Sequence, residues 1–292
     1  MPELPEVEVT RRQIAPLLIG RRIAAVETTH DSYFFLTHPA RLKRRLAGRR
    51  TERLERVGKY IVAHLDDGGR LLLHLGMTGQ LFGSGISSVR LLSSTRGSSL
   101  PPETQLSAFR PDAHTHLRLR FADGGPAVYF RDARKFGKVQ LLAAGEPAPR
   151  LDRLGVDALK AHGTDLFAAC RGRRVAIKML LLNQALLAGV GNIYADEALF
   201  LAGIRTMRRA SRVSLAECQK LVRALKRVLL RSIETGGSSI SDYVQPGGED
   251  GLYQDERRVY DRTGEPCPRC RTPIRRRVLG QRSSHYCPRC QR

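Results

Sequence analysis

No apolar run in the 292-residue chain approaches a membrane span; stretches such as 71–73 and 180–182 fall far short of the roughly 20 residues a bilayer requires. The opening Met1-Pro2-Glu3-Leu4-Pro5-Glu6 has neither a basic n-region nor an apolar h-region, which argues against secretion and for an intracellular protein. No internal repeat is visible beyond a paired Cys-Pro-Arg-Cys. With 41% apolar and 27% charged residues, the chain is not largely disordered. Its length suits two domains with an appendage.

Acidic residues are also in short supply. The chain has 28 against 50 basic ones, a net charge of +22 and a pI near 10.7. A GC-rich codon bias exchanges Lys for Arg but creates no net charge. A surplus this large points to a polyanionic partner, of which nucleic acid is the usual one. The surplus is clustered at 41–59 and from Asp261 to the end.

Of the six cysteines, Cys170 and Cys218 sit singly in apolar helical contexts and read as buried hydrophobes. The others form Cys267-Pro-Arg-Cys270 and Cys287-Pro-Arg-Cys290, with 16 residues between the pairs. Two such knuckles in a reducing compartment read as one tetrahedral zinc site. Four thiolates leave no open coordination position, so the Zn2+ is structural. In so short a segment it supplies on the order of 10 kcal/mol of folding free energy.

Residues 3–18 read as a helix, with Leu4, Val7, Ile14, Leu17 and Leu18 on one face. Residues 60–65 and 70–75, joined by Asp66-Asp-Gly-Gly69, read as a hairpin; 117–121 and 128–130, joined by Ala122-Asp-Gly-Gly125, read as another. A further strand is expected at 138–142. Residues 83–113 carry neither period and form a long loop insertion, and 143–150 reads as linker. Helical spacing follows at 175–188, 193–202 and 215–232, the last opened by a Ser214/Glu217 capping box. The turn Ala188-Gly-Val-Gly-Asn192 is either a phosphate-binding helix N-terminus or a plain interhelical turn. The fold class expected is α+β: an N-terminal antiparallel β-sandwich with flanking helices over 1–142, a linker over 143–154, a helical domain over 155–252 and a zinc finger over 253–292.

The N-terminus admits two readings: Pro2 and Pro5 simply introduce the helix, the commoner use of proline there, or Pro2 is a nucleophile. Removal of Met1 before a small residue frees the Pro2 secondary amine. With an α-amino pKa near 8, about a tenth is neutral at pH 7, against about one in 2,500 for an ordinary lysine. Attack on a sugar C1′ gives an iminium ion with no N–H to lose, which suits covalent catalysis at a nucleoside sugar. Glu3 stands beside it as a proton carrier.

The opening Pro2-Glu-Leu-Pro-Glu-Val-Glu-Val-Thr-Arg-Arg12 resembles the start of the formamidopyrimidine-DNA glycosylases. The resemblance continues through Val57-Gly-Lys-Tyr60, His74-Leu-Gly-Met-Thr-Gly79, His114-Thr-His116, Asp132-Ala-Arg-Lys-Phe-Gly137, Gly189-Val-Gly-Asn-Ile-Tyr194 and Gly280-Gln-Arg282. It implies a helix–two-turns–helix in the helical domain and a bifunctional glycosylase and abasic-site lyase. That enzyme removes 8-oxoguanine and formamidopyrimidines and then cuts the strand by β,δ-elimination. It implies catalytic roles for Pro2 as Schiff-base nucleophile, Glu3, Lys59 and Arg282, and lesion recognition by Glu6 and the loop bearing Ser241. Met77, Arg134 and Phe136 would fill the gap left by the extruded nucleotide, whereas spacing alone makes Met77 and Phe136 core residues. His114, Lys178 and Asn192 would contact DNA, Lys178 being equally readable as an exposed helical lysine. The implied partner is double-stranded damaged DNA bound in a cleft between the halves by a monomer, in the cytoplasm on a bacterial nucleoid.

Three departures stand out: Ser241 where the family often has lysine, Ala133 where proline is usual, and the length of 83–113. Two other functions bear on the same residues. An endonuclease VIII-like enzyme for oxidised pyrimidines usually has Gly at the position of Leu4 and lacks the Met77, Arg134, Phe136 set. A non-catalytic zinc-finger DNA-binding protein, or an RNA-associated one, would need no free Pro2.

Overall fold

The structure, a computed structural model, describes residues 2–86, 109–240 and 243–292. The chain forms two compact units: Met1–Ala148 with Thr235–Leu252, and Pro149–Glu234 with Tyr253–Arg292.

The first unit opens with helix α1 (Leu4–Leu18), where Pro5 is tolerated because the first turn has no intrahelical N–H partner to lose. Strands β1 (Ile23–Thr28), β6 (Thr115–Phe121), β7 (Val128–Asp132) and β5 (Gly79–Gly83) make one antiparallel sheet in the order β1-β6-β7-β5. The other sheet runs β2 (Thr51–Val57), β3 (Tyr60–Leu65), β4 (Arg70–His74), β8 (Lys138–Leu142). Helix α2 (Pro39–Leu46) packs on β1 and contributes Leu42 and Leu46 to the core. Period-2 alternation sends Ile61, Ala63 and Leu65 of β3 and Leu71 and Leu73 of β4 into one core with Leu117, Leu119 and Phe121 of β6. Val7, Ile14 and Leu18 of α1 close it. Phe82, Phe109, Ala127 and Tyr129 form a second apolar cluster, which Val244 joins from the segment after the last helix.

Both hairpins and the 138–142 strand lie where the alternation places them. Strand β2 escapes a period-2 reading because it buries only Thr51 and Leu54, three apart, along an edge with a register shift. Of the 83–113 insertion, 87–108 lie outside the described residues. Its return is anchored: Phe109 donates its N–H to the Ile86 carbonyl at 2.7 Å and stacks edge-on against Phe82.

The second unit holds a one-turn helix α3 (Pro149–Asp152), then α4 (Gly163–Cys170), α5 (Ile177–Leu181), α6 (Asn192–Ala202) and α7 (Leu215–Glu234). The parallel pair β9 (Val156–Asp157) and β10 (Leu187–Ala188) brackets α4 and α5. The hairpin β11 (Arg275–Leu279) and β12 (Arg282–Tyr286) packs against α6. Helix α7 is capped as expected: Ser214 N–H donates to Glu217 Oε2 at 2.9 Å and Glu217 N–H to Ser214 Oγ at 3.3 Å. Cys218, Leu221, Leu225, Val228 and Leu229 form its buried stripe.

Two expectations need correction. The helix expected over 175–188 ends at Leu181, because Asn183 Oδ1 takes the Ala185 N–H in a local turn. The Gln184 amide then accepts from Gly189 N–H and donates to the Val190 carbonyl, fixing the non-helical turn. The segment Thr235–Leu252, expected with the helical domain, packs in the first unit through bonds to α1 described next.

Candidate functional site

Pro2 and Glu3 are both buried at the start of α1. Glu3 is the helix N-cap, and its N–H donates to Glu6 Oε2 at 2.8 Å in a reciprocal capping box. The other oxygen of Glu6 accepts the Ser238 N–H at 2.9 Å, so one carboxylate joins the Pro2–Glu3 end to the segment after α7. That approach requires Gly237. Its φ is +88°, and a Cβ there would lie 3.0 Å from Tyr243 Cε1 and 3.1 Å from Glu6 Cγ. Burial, then the negative charge of Glu6, pushes the Tyr243 phenol well above its ordinary pKa. Tyr243 stays neutral and places its hydroxyl 3.5 Å from the Glu6 carbonyl.

Lys59 occupies the turn between β2 and β3. Val57 pairs with Tyr60, leaving a two-residue loop of Gly58 and Lys59, and the φ of +58° at Gly58 fits a type II′ turn. The side chain of Lys59 is nearly buried. Glu8, on α1, gathers three guanidinium groups: Arg11 at 2.8 Å, Arg12 at 2.7 Å and Arg56 at 3.2 Å. Arg56 also donates through Nη1 to the Gly58 carbonyl at 3.0 Å. Burial pushes the Glu8 carboxyl up, but the bonds from Arg11 and Arg12 and the charges of Arg11 and Arg56 outweigh it and hold the group below its ordinary value.

Met77 and the pair Arg134 and Phe136 lie on adjoining loops. A Cβ at Gly76 would fall 2.4 Å from the Phe136 carbonyl carbon and the Gly137 nitrogen, so the two backbones touch there. The fully buried Asp132 carboxylate ties them, accepting from Thr78 Oγ1, from Arg134 N–H at 3.2 Å and from Gly137 N–H at 2.6 Å. Phe136 is 48% exposed, so the core placement that spacing suggests does not hold; Arg134 is exposed and Met77 half-buried. The Arg134 guanidinium lies 5.8 Å from the Phe136 ring. His114 is half-buried, and its carbonyl accepts the Asp132 N–H at 2.9 Å. Ser241 lies outside the described residues.

In the second unit Asn192 opens α6, with its Nδ2 3.4 Å from Ser283 Oγ and 3.5 Å from the Tyr260 hydroxyl. Arg282, one residue before Ser283, is exposed at the start of β12. The turn before it, Gly280-Gln281, has positive φ at both positions (50° and 62°), the I′ pattern, and Gly280 abuts Met179 of α5. Lys178 is not the exposed helical lysine that one reading of its position suggests. It has 0% exposure, and its Nζ lies 2.7 Å from Asp196 Oδ1 and 2.6 Å from the Ser283 carbonyl.

The four Sγ atoms of Cys267, Cys270, Cys287 and Cys290 all lie within 4.8 Å of one another, with Cys267–Cys290 at 3.9 Å and Cys270–Cys287 at 3.5 Å. Tetrahedral Zn–S bonds of about 2.3 Å place sulfurs about 3.8 Å apart, so this donor set fits one structural Zn2+. Backbone N–H groups of Arg269 and Cys290 point at Cys267 and Cys287 sulfurs, the usual support for thiolates. Phe200, Val259 and Ile274 pack around the cluster.

Sequence reasoning passed over Asp132, Arg56, Asp196 and Glu197. The last two stand in the otherwise apolar run Asn192–Ala202, a signal that was available. Asp196 accepts the His285 N–H at 2.8 Å, and Glu197 accepts from the N–H groups of Arg258, Val259 and Tyr260 at 2.8–3.0 Å. Burial raises the Glu197 pKa despite those three bonds. Adjacent acids on α6 thus hold both entry and exit of the zinc module. Among the described residues no helix is long and apolar enough to cross a membrane.

Together these features define a β-sandwich unit with a capped N-terminal proline and a helical unit carrying a four-thiolate zinc hairpin. Three family models match in that order: the formamidopyrimidine-DNA glycosylase N-terminal domain over 1–139, its H2TH domain over 154–244, and the zinc finger found in FPG and IleRS over 264–292. The formamidopyrimidine-DNA glycosylase of Solibacter usitatus is 44% identical over 292 residues, with 100% of each chain covered. The crystal structure of the MutM (Fpg) protein from Thermus thermophilus superposes with a TM-score of 0.82 at 36% identity, covering 99% of this chain and 98% of that one. The Lactococcus lactis Fpg in complex with Fapy-dG-containing DNA gives 0.83 at 30% identity, covering 99% and 100%. The chain belongs to the formamidopyrimidine-DNA glycosylase family.

Proposed function

We propose that this protein is a bifunctional DNA glycosylase and abasic-site lyase that excises 8-oxoguanine and formamidopyrimidines from duplex DNA. The observation that carries the reading is the coincidence of full-length family membership with a buried Pro2–Glu3 end held by the Glu6 carboxylate. After loss of Met1, the Pro2 nitrogen attacks C1′ of the lesion nucleotide and the oxidised base departs with a proton. The ring-closed adduct then opens, its C1′–O4′ bond breaking as O4′ takes a proton, and the iminium ion so formed acidifies C2′–H. Loss of that proton expels the 3′-phosphate, and a second elimination expels the 5′-phosphate.

Glu3 protonates and activates the opening sugar, and Lys59 contacts the phosphate beside the lesion and assists proton transfer. Met77 and Phe136 wedge into the vacated stack while Arg134 faces the orphaned base. Asn192 and Arg282, neighbours through Ser283, bind backbone phosphate, and Arg282 assists the second elimination. Glu6, which accepts the Ser238 N–H, serves lesion recognition together with Ser241. The zinc holds the hairpin that presents Arg282 and takes no part in the chemistry. The protein acts as a monomer in the cytoplasm, on the nucleoid.

The test is strand cleavage of duplexes carrying either 8-oxoguanine opposite cytosine or an oxidised pyrimidine. Cleavage at 8-oxoguanine with phosphate at both new ends is expected. Cleavage at the pyrimidine lesion alone contradicts the reading.

A further inference from the structure

We infer that Arg56 is a positioning residue for Lys59, acting through the Gly58 carbonyl; the inference rests on the role given to Lys59 above. Glu8 is already served by Arg11, through Nε at 3.1 Å and Nη2 at 2.8 Å, and by Arg12 at 2.7 Å. Neutralising Glu8 therefore does not require a third guanidinium. Arg56 does something the other two do not. Its Nε meets Glu8 Oε2 at 3.2 Å while its Nη1 meets the Gly58 carbonyl at 3.0 Å, so one planar group bridges α1 to the peptide unit that enters Lys59.

The geometry on either side makes this bridge consequential. Glu8 lies five residues after Glu3 on the same helix, about 7.5 Å along its axis, so it moves rigidly with the Pro2–Glu3 end. Lys59 sits on a two-residue turn, where the orientation of the Gly58–Lys59 peptide sets the direction of the lysine side chain. Arg11 adds a second tie from the same helix, its Nη1 lying 3.4 Å from the Leu54 carbonyl earlier on the strand. The Glu8–Arg56–Gly58 chain thus couples the helix bearing the amine nucleophile to the turn bearing the lysine. A misplacement of about 1 Å at such a group can lower the rate of chemistry about 100-fold.

The experiment is strand cleavage at a preformed abasic site in duplex DNA by Arg56→Ala, Arg56→Lys, Lys59→Ala and the Arg56→Ala/Lys59→Ala double variant, with thermal melting of each. Arg56→Ala is expected to lower kcat about 10- to 100-fold with KM within about two-fold, and millimolar guanidinium is expected to restore part of it. Arg56→Lys, which keeps the charge on Glu8 but has one nitrogen for two acceptors, is expected to behave like Arg56→Ala. The double variant is expected to be no slower than Lys59→Ala, because Arg56 acts through the lysine. Losses that multiply in the double variant, or full kcat in Arg56→Lys, overturn the inference while leaving the role of Lys59 intact. Full activity of Lys59→Ala overturns that role and the inference with it. Should Arg56→Ala melt early, Arg56→Lys carries the same comparison.

Discussion

The Nζ of Lys178 and the Oδ1 of Asp196 lie 2.7 Å apart with no surface of either side chain reaching solvent. The lysine also donates to the Ser283 carbonyl at 2.6 Å and the aspartate accepts the His285 N–H at 2.8 Å, so the pair fastens β12 to α5 and α6. Removing one partner strands the other charge in the interior. Lys178→Met and Asp196→Asn are each expected to lose about 3–5 kcal/mol in urea denaturation, and the double variant less than their sum. Single losses below about 1 kcal/mol contradict this.

Phe136 behaves oppositely. Its ring is half in solvent, so Phe136→Ala is expected to change stability by no more than about 0.5 kcal/mol. Its affinity for a duplex with an abasic-site analogue is expected to fall about ten-fold, or about 1.4 kcal/mol. Binding titrations beside thermal melts separate the two, and a destabilised variant with unchanged affinity argues against the wedge.

Glu8 makes a pH signature. Its pKa lies below the ordinary carboxylate value in the folded protein, because the arginine bonds and charges overcome the effect of burial. The unfolded chain therefore binds more protons in the intervening range. The stabilisation is complete above the ordinary value of about 4.5 and is lost as pH falls through the lower folded value. Wild type is expected to lose melting temperature on acidification below about 4.5 more steeply than Glu8→Gln, and parallel curves contradict it.

Much of this molecule is written locally. Strict alternation at 117–121, the turn residues within the hairpins, the Ser214/Glu217 box and the cysteine spacing each state a structure within a few residues of themselves. The features that escaped are long-range. Nothing near Lys178 announces that Asp196 and Ser283 enclose it, and nothing near Glu6 names Ser238, 232 residues on. Helical spacing over 175–188 was a true apolar pattern, but the Asn183 and Gln184 side chains compete for the backbone and end the helix. Pro2 and Glu3 were readable only with the family resemblance in view, since proline at a helix start is usually structural.

The central claim is the covalent role of Pro2. Met1-processed protein is mixed with a duplex carrying 8-oxoguanine opposite cytosine, borohydride is added, and intact mass and peptide mapping locate the adduct. The account predicts a reduced DNA–protein conjugate on the Pro2 nitrogen, absent from a Pro2→Gly variant that still retains the duplex. A conjugate on a lysine, or full turnover by Pro2→Gly, contradicts it.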